Sequence, residues 1–400
     1  MTASFDSSFN RPLTLPCGAI VKNRVVKSAM SDSLGDGEGN ATKAQARLYE
    51  KWAQGGVGLS IIGEVQIDYR YPETPGNLFL GSTSDIQALQ LLTKQATTNG
   101  AHIWPQLGHA GSLSYSLLST PKGPSPLSTD DFKCSGMSLE EVLNLPEQYA
   151  NAAKIAKQAG FTGVQIHAGH GFLLSQFLSP LFNHRQDQYG GDLSSRCQVI
   201  IEIIDKVRKE VGKSFPIGIK INSSDQLKGG LTQEEALEAI NILDKTSIDL
   251  IEISGGSYFP GATSSSDSAS KGPYFIDFVK KARKYTSIPL VVTGGFKTRQ
   301  EVNTALTNNG ADMVGLARAL VLLPNLVNNW NTESNITVDF PRFTSPPAGG
   351  ITAWYTMCIT AISNDHENSF NLDLHTAIQT YQERDKLRCV KWQEKFNSSK

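Results

Sequence analysis

The chain alternates short apolar segments with longer amphipathic segments from residue 24 onward. The apolar segments are rich in β-branched residues and too short for buried helices, which is typical of strands covered on both faces of a parallel sheet. In the longer segments apolar residues recur every three or four positions, which predicts helices with one buried face. The predicted strands comprise residues 24–30, 57–65, 101–106, 162–167, 217–221, 250–254, 289–293 and 313–316.

Helices follow these strands, and two of them begin with a capping box. Thr232 is followed three residues later by Glu235, and Thr298 by Glu301, so that a hydroxyl and a carboxylate can satisfy free backbone N–H groups. The predicted helices comprise residues 43–54, 85–99, 145–159, 194–211, 232–245, 276–285, 298–308 and 317–325. Eight strand–helix units predict an α/β fold, a closed (β/α)8 or TIM barrel. An open, doubly wound sheet is the alternative, but no G-x-G-x-x-G follows the first strand.

Two segments are additions to the eight strand–helix units of a minimal barrel. Residues 108–137 form a long insertion after the third strand, rich in Ser, Pro and Gly, where barrels build the rim of their active site. Beyond residue 331 a stretch containing Pro and Gly leads into a charged helical stretch at 372–396, which is too polar for an independent domain. We therefore expect one domain over residues 1–400, with a barrel core at about 20–330 and a C-terminal extension at 331–400.

Composition and charge restrict the function classes. The formal net charge is −1 and no dense block of Lys or Arg occurs, which disfavours nucleic acid and anionic membranes as partners. Residues 1–11 are polar and unlike a secretory signal, and the longest apolar stretch, 313–327, is interrupted by Arg318 and Pro324. The five cysteines are scattered and never form a C-x-x-C pair, so that we expect reduced thiols in a cytoplasmic protein.

Polar residues follow almost every predicted strand. In a TIM barrel the residues after each strand meet at one rim, where active sites lie. Packing alone does not need so many polar groups there, and the pattern predicts a small-molecule site. The strand ends carry Met30-Ser31, Gly63-Glu64-Val65, Gln106 with His109, His167 with His170, Lys220 with Asn222, Ser254-Gly255-Gly256, Gly294-Gly295 and Ala317-Arg318.

His167 and His170 stand three residues apart at the end of the fourth strand. Two imidazoles at this spacing can both donate a hydrogen bond to one acceptor, which would stabilise negative charge as it develops there. A metal pair or a purely structural turn are the alternatives. No Cys, Asp or Glu stands at a recognisable ligand spacing, so that we expect no metal.

Gly294-Gly295 and Ala317-Arg318 follow the seventh and eighth strands. Barrels commonly bind a phosphate at this place through backbone N–H groups, a helix N-terminus and a cation. The pattern predicts a phosphate site, and a tight turn without a ligand is the alternative for the glycines.

One long motif and several short ones identify a family. Residues 165–191 read QIHAGHGFLLSQFLSPLFNHRQDQYGG. The pairs Asn23-Arg24 and Ala29-Met30, the run 106–109 (QLGH), the run 294–296 (GGF) and the segment 315–318 occur around it in the expected order. The chain resembles the old yellow enzyme family, the NADH:flavin oxidoreductases, over about residues 9–330 and in the tail as well.

This resemblance implies FMN as cofactor and NAD(P)H as hydride donor. It assigns the carbonyl oxygen of an enone to His167 and His170, the pyrimidine side of the flavin to Lys220 and Gln106, and the phosphate to Arg318. Arg185, Asp187, Tyr189, Gly190-Gly191 and Arg196 belong to the same motif, and we expect them to fix the loop after the fourth strand. The residues expected to bind the cofactor are Ala29, Met30, Ser31, Val65, Gln106, Lys220, Gly294, Gly295, Ala317 and Arg318.

The substrate side departs from the family pattern. Phe172 stands where the family usually has the tyrosine that protonates the substrate carbon, so that this position supplies no proton. Ser31 can still donate to the flavin, but Ser33 replaces a tyrosine of some bacterial members and Ser112 replaces an arginine. Tyr69, Tyr115 or a water chain are other sources of the proton.

The sequence therefore predicts an FMN-dependent oxidoreductase that takes hydride from NAD(P)H and reduces activated C=C bonds of α,β-unsaturated carbonyl compounds. Its partner is a small-molecule substrate, and a homo-oligomer is compatible with the pattern. The alternatives are a flavin-dependent desaturase or isomerase of secondary metabolism, which needs no such acid, and a flavin-free barrel aldolase or isomerase that binds a phosphorylated substrate.

Overall fold

A computed structural model describes residues 8–128, 133–260, 272–308 and 310–397, and its centre is a closed barrel of parallel strands. The first strand pairs with both the second and the eighth, which closes the ring. The predicted (β/α)8 barrel and all eight of its strands are confirmed. The barrel strands are β1 Val25–Lys27, β2 Leu59–Gln66, β3 His102–Gly108, β4 Val164–Ala168, β5 Ile217–Asn222, β6 Leu250–Ser254, β7 Leu290–Thr293 and β8 Met313–Leu316.

Twelve α-helices lie in the described residues, and those between the strands cover the outside of the barrel. Both predicted capping boxes form: Thr232 with Glu235, and Thr298 with Glu301. The helices are α1 Lys43–Gln54, α2 Ile86–Ala96, α3 Leu139–Gln158, α4 Leu173–Leu178, α5 Leu193–Val211, α6 Gln233–Leu243, α7 Ile276–Ala282, α8 Arg299–Asn308, α9 Arg318–Leu322, α10 Leu326–Thr332, α11 Gly350–Ser363 and α12 Leu374–Asn397.

Several predicted helix bounds were wrong. The third helix begins at Leu139 rather than at residue 145, because Ser138 and Glu141 form a further capping box ahead of it, and it continues through Pro146. The helix predicted at 317–325 ends at Leu322, and a second helix, α10, begins at Leu326. Pro324 lies between them and has no N–H to continue the first helix.

The hydrophobic core of the barrel has two parts, and a third, small cluster of Phe79, Trp392 and Phe396 lies at α12. The larger part lies between the barrel and its helices, and the smaller part fills the barrel at the N-terminal ends of the strands. A short hairpin of Leu13–Thr14 and Ile20–Val21 closes this lower end. The interior residues there are Val26, Leu59, Ile61, Trp104, Leu250, Val291 and Met313. Because apolar side chains fill the lower end, the interior is open to polar groups only at the C-terminal ends of the strands.

The insertion after β3 forms a small separate sheet of Lys122–Gly123, Leu127–Ser128 and Lys133–Gly136, and residues 129–132 of the predicted insertion lie outside the described part. Arg185 fixes it to the loop after β4. Its guanidinium pairs with Asp187 and donates to the carbonyl oxygens of Pro124 and Met137, at 2.9 and 2.7 Å. This agrees with the structural role expected for this part of the motif.

The C-terminal extension contacts the loops after β1 and β2. Arg388 on α12 donates to the carbonyl oxygen of Ser33 at 2.7 Å, and the indole N–H of Trp392 donates to that of Tyr69 at 3.1 Å. Phe396 stacks on the Tyr69 ring, with centroids 4.7 Å apart. Helix α11, which the sequence pattern did not predict, packs on α1 and α9. Among the described helices, none is long and apolar enough to cross a membrane.

Candidate active site

A layer of buried polar side chains lies above the apolar lower end of the barrel. Gln106 donates through Nε2 to Gln165 Oε1 at 2.6 Å, and Gln165 Nε2 donates to Glu252 Oε2 at 2.7 Å. Thr293 donates to Glu252 Oε1 at 2.7 Å, and Lys220 Nζ lies 3.1 Å from the same oxygen. Buried charges and amides of this kind persist only when they are paired, as they are here.

Gln165 and Glu252 were not predicted as site residues from the sequence, although a signal was present. Side chains alternate along a strand, so that Gln165 shares the inner face with His167, two residues later, and Glu252 shares it with Ser254. Burial alone would raise the pKa of Glu252, but Lys220 and the hydrogen bonds from Gln165 and Thr293 lower it overall. Glu252 is therefore an anion that neutralises Lys220, and Lys220 is not an isolated cation.

Lys27, at the end of β1, is a second buried amine, and it lies on the outer face of the strand beside Trp52 of α1, because its neighbour Val26 faces the interior. Its Nζ donates to the Ser28 carbonyl oxygen at 2.9 Å and lies 4.4 Å from the centroid of the Trp52 ring. Burial lowers the pKa of Lys27 to about 7, helped by the nearby Lys220 and opposed by Asp32 and Glu252. The charge of this amine therefore changes around neutral pH.

The two predicted histidines lie side by side. His167 is on β4, and His170 is in the following loop at φ +59°, where its backbone N–H donates to Asn222 Oδ1 at 2.9 Å. His167 Nε2 and His170 Nδ1 are 2.9 Å apart, and His170 Nε2 is 2.8 Å from Ser254 Oγ. A hydrogen bond therefore joins the two rings, and a ligand oxygen that accepts from both of them must replace this hydrogen bond. Burial lowers the pKa of both imidazoles well below the usual value, so that both are neutral.

Glu64 contacts the other side of the histidine pair. Between the pairs Ile62–Pro105 and Val65–Leu107, β2 contains one residue more than β3, and this bulge turns Glu64 into the barrel. Its carboxyl group contacts His167 Nδ1, and both side chains are at most 4 % exposed. Gly108 provides the space for this carboxyl group, since a Cβ there would lie 1.9 Å from Glu64 Oε2. Burial raises the pKa of Glu64 to about 8, with Lys220 opposing the shift.

The protonation state of Glu64 determines which nitrogen of the neutral His167 ring carries the hydrogen. A protonated Glu64 donates to His167 Nδ1, which leaves the N–H of that neutral ring on Nε2, the atom facing His170. An ionised Glu64 accepts from Nδ1 instead, and Nε2 then has only a lone pair. Only the protonated carboxyl group therefore leaves a hydrogen-bond donor on the His167 atom that faces His170.

Phe172 and Tyr258 cover the histidine pair from the side. The Phe172 ring lies 5.0 Å from that of His167 and 5.6 Å from that of Tyr258, between centroids. Tyr258 also lies 6.0 Å from His170. Phe172 is 3 % exposed and Tyr258 65 %. Tyr258 was not predicted as a site residue from the sequence, since it follows β6 in a loop without a regular pattern.

The loops after β7 and β8 provide the features of a phosphate site. Gly294 and Gly295 have φ +106° and +85°, and a Cβ on Gly295 would lie 2.4 Å from the Gly272 carbonyl oxygen. Arg318 follows Ala317 at the start of α9, with its guanidinium 5.6 Å from the Tyr355 ring and 5.7 Å from the Phe340 ring. Within the described residues Arg318 forms no ion pair with a carboxylate, so that its charge is available to a ligand.

The remaining predicted cofactor residues lie at the ends of β1, β2 and β3. A Cβ on Gly63 would lie 2.9 Å from Ala29 Cβ, 3.3 Å from the Met30 nitrogen and 3.3 Å from Gln106 Oε1, which shows how closely these strands approach. Ser31 donates its hydroxyl proton to Asn77 Oδ1 at 3.1 Å. Val65 belongs to the outer hydrophobic core, and only its backbone is placed to face a ligand.

Three further residues singled out from the sequence lie away from the histidine pair. Tyr69 stacks on Phe396 of α12, and Tyr115 neighbours Cys389 of the same helix. His109 stacks on Tyr71 with centroids 4.6 Å apart, and its Nδ1 accepts from the Gly111 N–H at 2.9 Å. Burial lowers the pKa of His109 to about 4, so that it is a neutral ring within the rim.

Comparison with known proteins decides the family. The model of the NADH:flavin oxidoreductase / NADH oxidase family matches residues 9–335. The chain belongs to this family. It is therefore an oxidoreductase of the old yellow enzyme type, with a flavin and a nicotinamide as the family's redox partners.

Two relatives, one from a fungus and one from a bacterium, match over most of their length. The NADH-dependent flavin oxidoreductase iliE of Hypocrea jecorina is 32 % identical over 397 residues, which are 89 % of this chain and 97 % of the relative. An NADPH dehydrogenase of Bacillus subtilis is 30 % identical over 336 residues, 80 % of this chain and 95 % of the relative. The structure of an old yellow enzyme homologue from Zymomonas mobilis superimposes with a TM-score of 0.72 at 23 % identity, covering 87 % of this chain and 98 % of that one.

Proposed function

We propose that this protein binds FMN and uses NADH or NADPH to reduce the C=C bond of α,β-unsaturated carbonyl compounds. The observation that carries this proposal is the pair of neutral imidazoles, His167 and His170, at the C-terminal end of the barrel above a layer of paired polar groups. The flavin, when bound, accepts hydride from the nicotinamide and passes it to the substrate in the same pocket.

The residues around the pocket fit FMN. The turned backbone of Gly294 and Gly295 and the guanidinium of Arg318 suit a phosphate, since phosphate needs convergent N–H donors and a cation. The amide of Gln106 and the amine of Lys220 suit the pyrimidine edge of the flavin. Gln106 Oε1 lies 3.3 Å from the position that a Cβ on Gly63 would occupy. Ala29, Met30 and Ser31 line the side next to Gly63, and Val65 contributes only backbone.

The histidine pair would bind the carbonyl oxygen of the substrate. When hydride reaches the β-carbon, negative charge moves to this oxygen, and two N–H donors stabilise it there. Removing one preorganised donor to such an oxygen typically costs about 10²–10³ in rate. A donor on His167 Nε2 requires a protonated Glu64, which burial provides at neutral pH.

The test is an anaerobic titration of the purified protein. We expect a yellow protein that binds one FMN per chain, that is reduced by NADH or NADPH, and that is reoxidised by a cyclic enone. A protein that stays colourless and takes up no FMN would refute the proposal and favour the flavin-free alternative.

A second candidate is isomerisation without net redox change. The contacts that connect Glu64, His167, His170 and Ser254 favour it, because these groups can take up and return protons. It predicts a product that forms in the presence of FMN without consumption of NADH. The same assays, followed at the nicotinamide absorbance, distinguish the two candidates.

A further inference from the structure

The loop after β6 is fixed against the loop that carries the histidines. The backbone N–H of Tyr258 donates to the His170 carbonyl oxygen at 3.0 Å, and Ser257 and His170 form an isolated parallel bridge. Gly171 permits this approach, since a Cβ there would lie 2.3 Å from Ser257 Oγ. The Phe259 ring stacks on Phe182 with centroids 4.2 Å apart. The position of Tyr258 relative to the histidine pair is therefore set by the fold rather than by a free loop.

The phenol of Tyr258 lies beside the histidine pair, whereas Phe172, at the position where the family usually has its acid, carries no hydroxyl group. Phe172 is 3 % exposed, because neighbouring rings cover it, whereas Tyr258 is 65 % exposed and contacts both Phe172 and His170. A substrate held by the histidine pair would therefore meet the Tyr258 ring rather than the Phe172 ring. Packing against neighbouring side chains and the nearby carboxyl groups of Glu73 and Glu64 raise the pKa of Tyr258 above that of an ordinary phenol, so that it holds its proton at neutral pH.

The other tyrosines considered from the sequence are poorly placed for this task. Tyr69 stacks on Phe396, and Tyr115 lies beside Cys389, so that both belong to the contact with α12. Neither ring contacts His167 or His170 within the part of the chain that the structure describes.

We propose that Tyr258 is the acid that protonates the α-carbon of the substrate, in place of the phenol lost at position 172; this inference rests on the proposed enone reduction. Hydride adds to the β-carbon, and the electron pair of the C=C bond moves toward the carbonyl oxygen between the imidazoles. The O–H bond of Tyr258 then breaks as a C–H bond forms at the α-carbon, and the phenolate regains its proton from water at its exposed side. The reduced nicotinamide supplies both electrons.

The test compares Tyr258→Phe with Tyr115→Phe, a matched control with the same chemical change at the α12 contact. Stopped-flow kinetics follow two steps separately: reduction by NADH, and reoxidation by 2-cyclohexenone. Reoxidation by 1-nitrocyclohexene is a substrate control, because hydride addition gives a nitronate that is stable enough to leave unprotonated. Binding of a phenol, seen as a long-wavelength absorption band, reports whether the histidine pair is intact.

We expect Tyr258→Phe to slow reoxidation by the enone by about 10²–10⁴, the usual contribution of a general acid. Reduction by NADH, reoxidation by the nitroalkene and phenol binding should stay unchanged, and so should every step in Tyr115→Phe. The solvent deuterium isotope effect on the enone step should change with the variant. Adding Phe172→Tyr to Tyr258→Phe should restore part of the lost rate by returning a phenol to the pair.

Each other outcome overturns the inference. If Tyr258→Phe reduces the enone as fast as the wild type, the proton comes from elsewhere. If the enone and nitroalkene steps slow equally, Tyr258 only shapes the pocket. If the wild type reoxidises with the nitroalkene but with no enone, the proposed enone reduction itself fails, and the acid role fails with it.

Discussion

The carboxyl group of Glu64 should control ligand binding by its protonation state. With a pKa of about 8, about ten of every eleven molecules are protonated at pH 7 and about one of eleven at pH 9. Only the protonated form leaves an N–H on His167 Nε2, whereas the ionised form leaves a lone pair that repels a carbonyl oxygen. The affinity for an uncharged ketone should therefore fall about tenfold from pH 7 to pH 9, or about 1.4 kcal/mol.

The assay is a titration of the oxidised holoenzyme with a cyclic ketone, followed by the perturbation of the flavin spectrum between pH 6 and pH 9.5. A ketone is used because phenols ionise in the same range. Glu64→Gln cannot titrate, and we expect its affinity to be independent of pH across this range. Lys27 titrates nearby, with a pKa of about 7, so that Lys27→Met serves as the matched control and should keep the fall near pH 8.

A tenfold fall that persists in Glu64→Gln would refute this reasoning, because the titrating group would then lie elsewhere. A fall that disappears in Lys27→Met would assign it to that amine instead. A flat profile in the wild type would show that Glu64 does not change its charge between pH 7 and pH 9.

Three further outcomes follow from the same contacts. Arg318→Ala should weaken FMN binding roughly ten- to a hundredfold, since a charge-assisted hydrogen bond contributes about 1.5–3 kcal/mol. Fluorescence titration of the apoprotein with FMN measures this affinity, and an unchanged affinity would exclude a phosphate contact. Lys220→Ala should destabilise the fold by about 3–5 kcal/mol in urea unfolding, because Glu252 is left buried and unpaired, and the double change with Glu252→Gln should recover most of the loss. Glu64→Gln should stabilise the protein at pH 9 but little at pH 5. A pKa raised from 4.5 to about 8 means that the folded state binds the proton of Glu64 more tightly than the unfolded state does. This contribution to stability is full below pH 4.5 and is lost as the pH rises to about 8, by at most about 5 kcal/mol.

The barrel could be predicted because its strands are nearly continuous apolar runs, whose signal depends only on neighbouring residues. The same holds for the capped starts of α6 and α8. The direction of Glu64 could not be predicted, since it depends on a bulge that appears only when β2 pairs with β3. Without that bulge, alternation along the strand would turn Glu64 away from His167.

The roles of single site residues were harder to predict than their place on the rim. The sequence interpretation treated Lys220 as a cation available to the cofactor, and nothing in the local sequence shows that Glu252 neutralises it from the adjacent strand. The same limit applies to Tyr258, whose contact with His170 joins loops 88 residues apart. Such contacts arise from the closure of the barrel rather than from any local pattern.

The C-terminal extension also makes contacts with the site that no local pattern in the barrel indicates. Tyr355 of α11 provides an aromatic face for the guanidinium of Arg318, and Arg388 of α12 binds the carbonyl oxygen of Ser33, two residues after Ser31. An aromatic face beside Arg318 limits the directions in which its N–H groups can donate, which orients them without neutralising the charge. The extension therefore shapes both the proposed phosphate end of the pocket and the loop that carries Ser31, although the family model matches only its first few residues, up to 335.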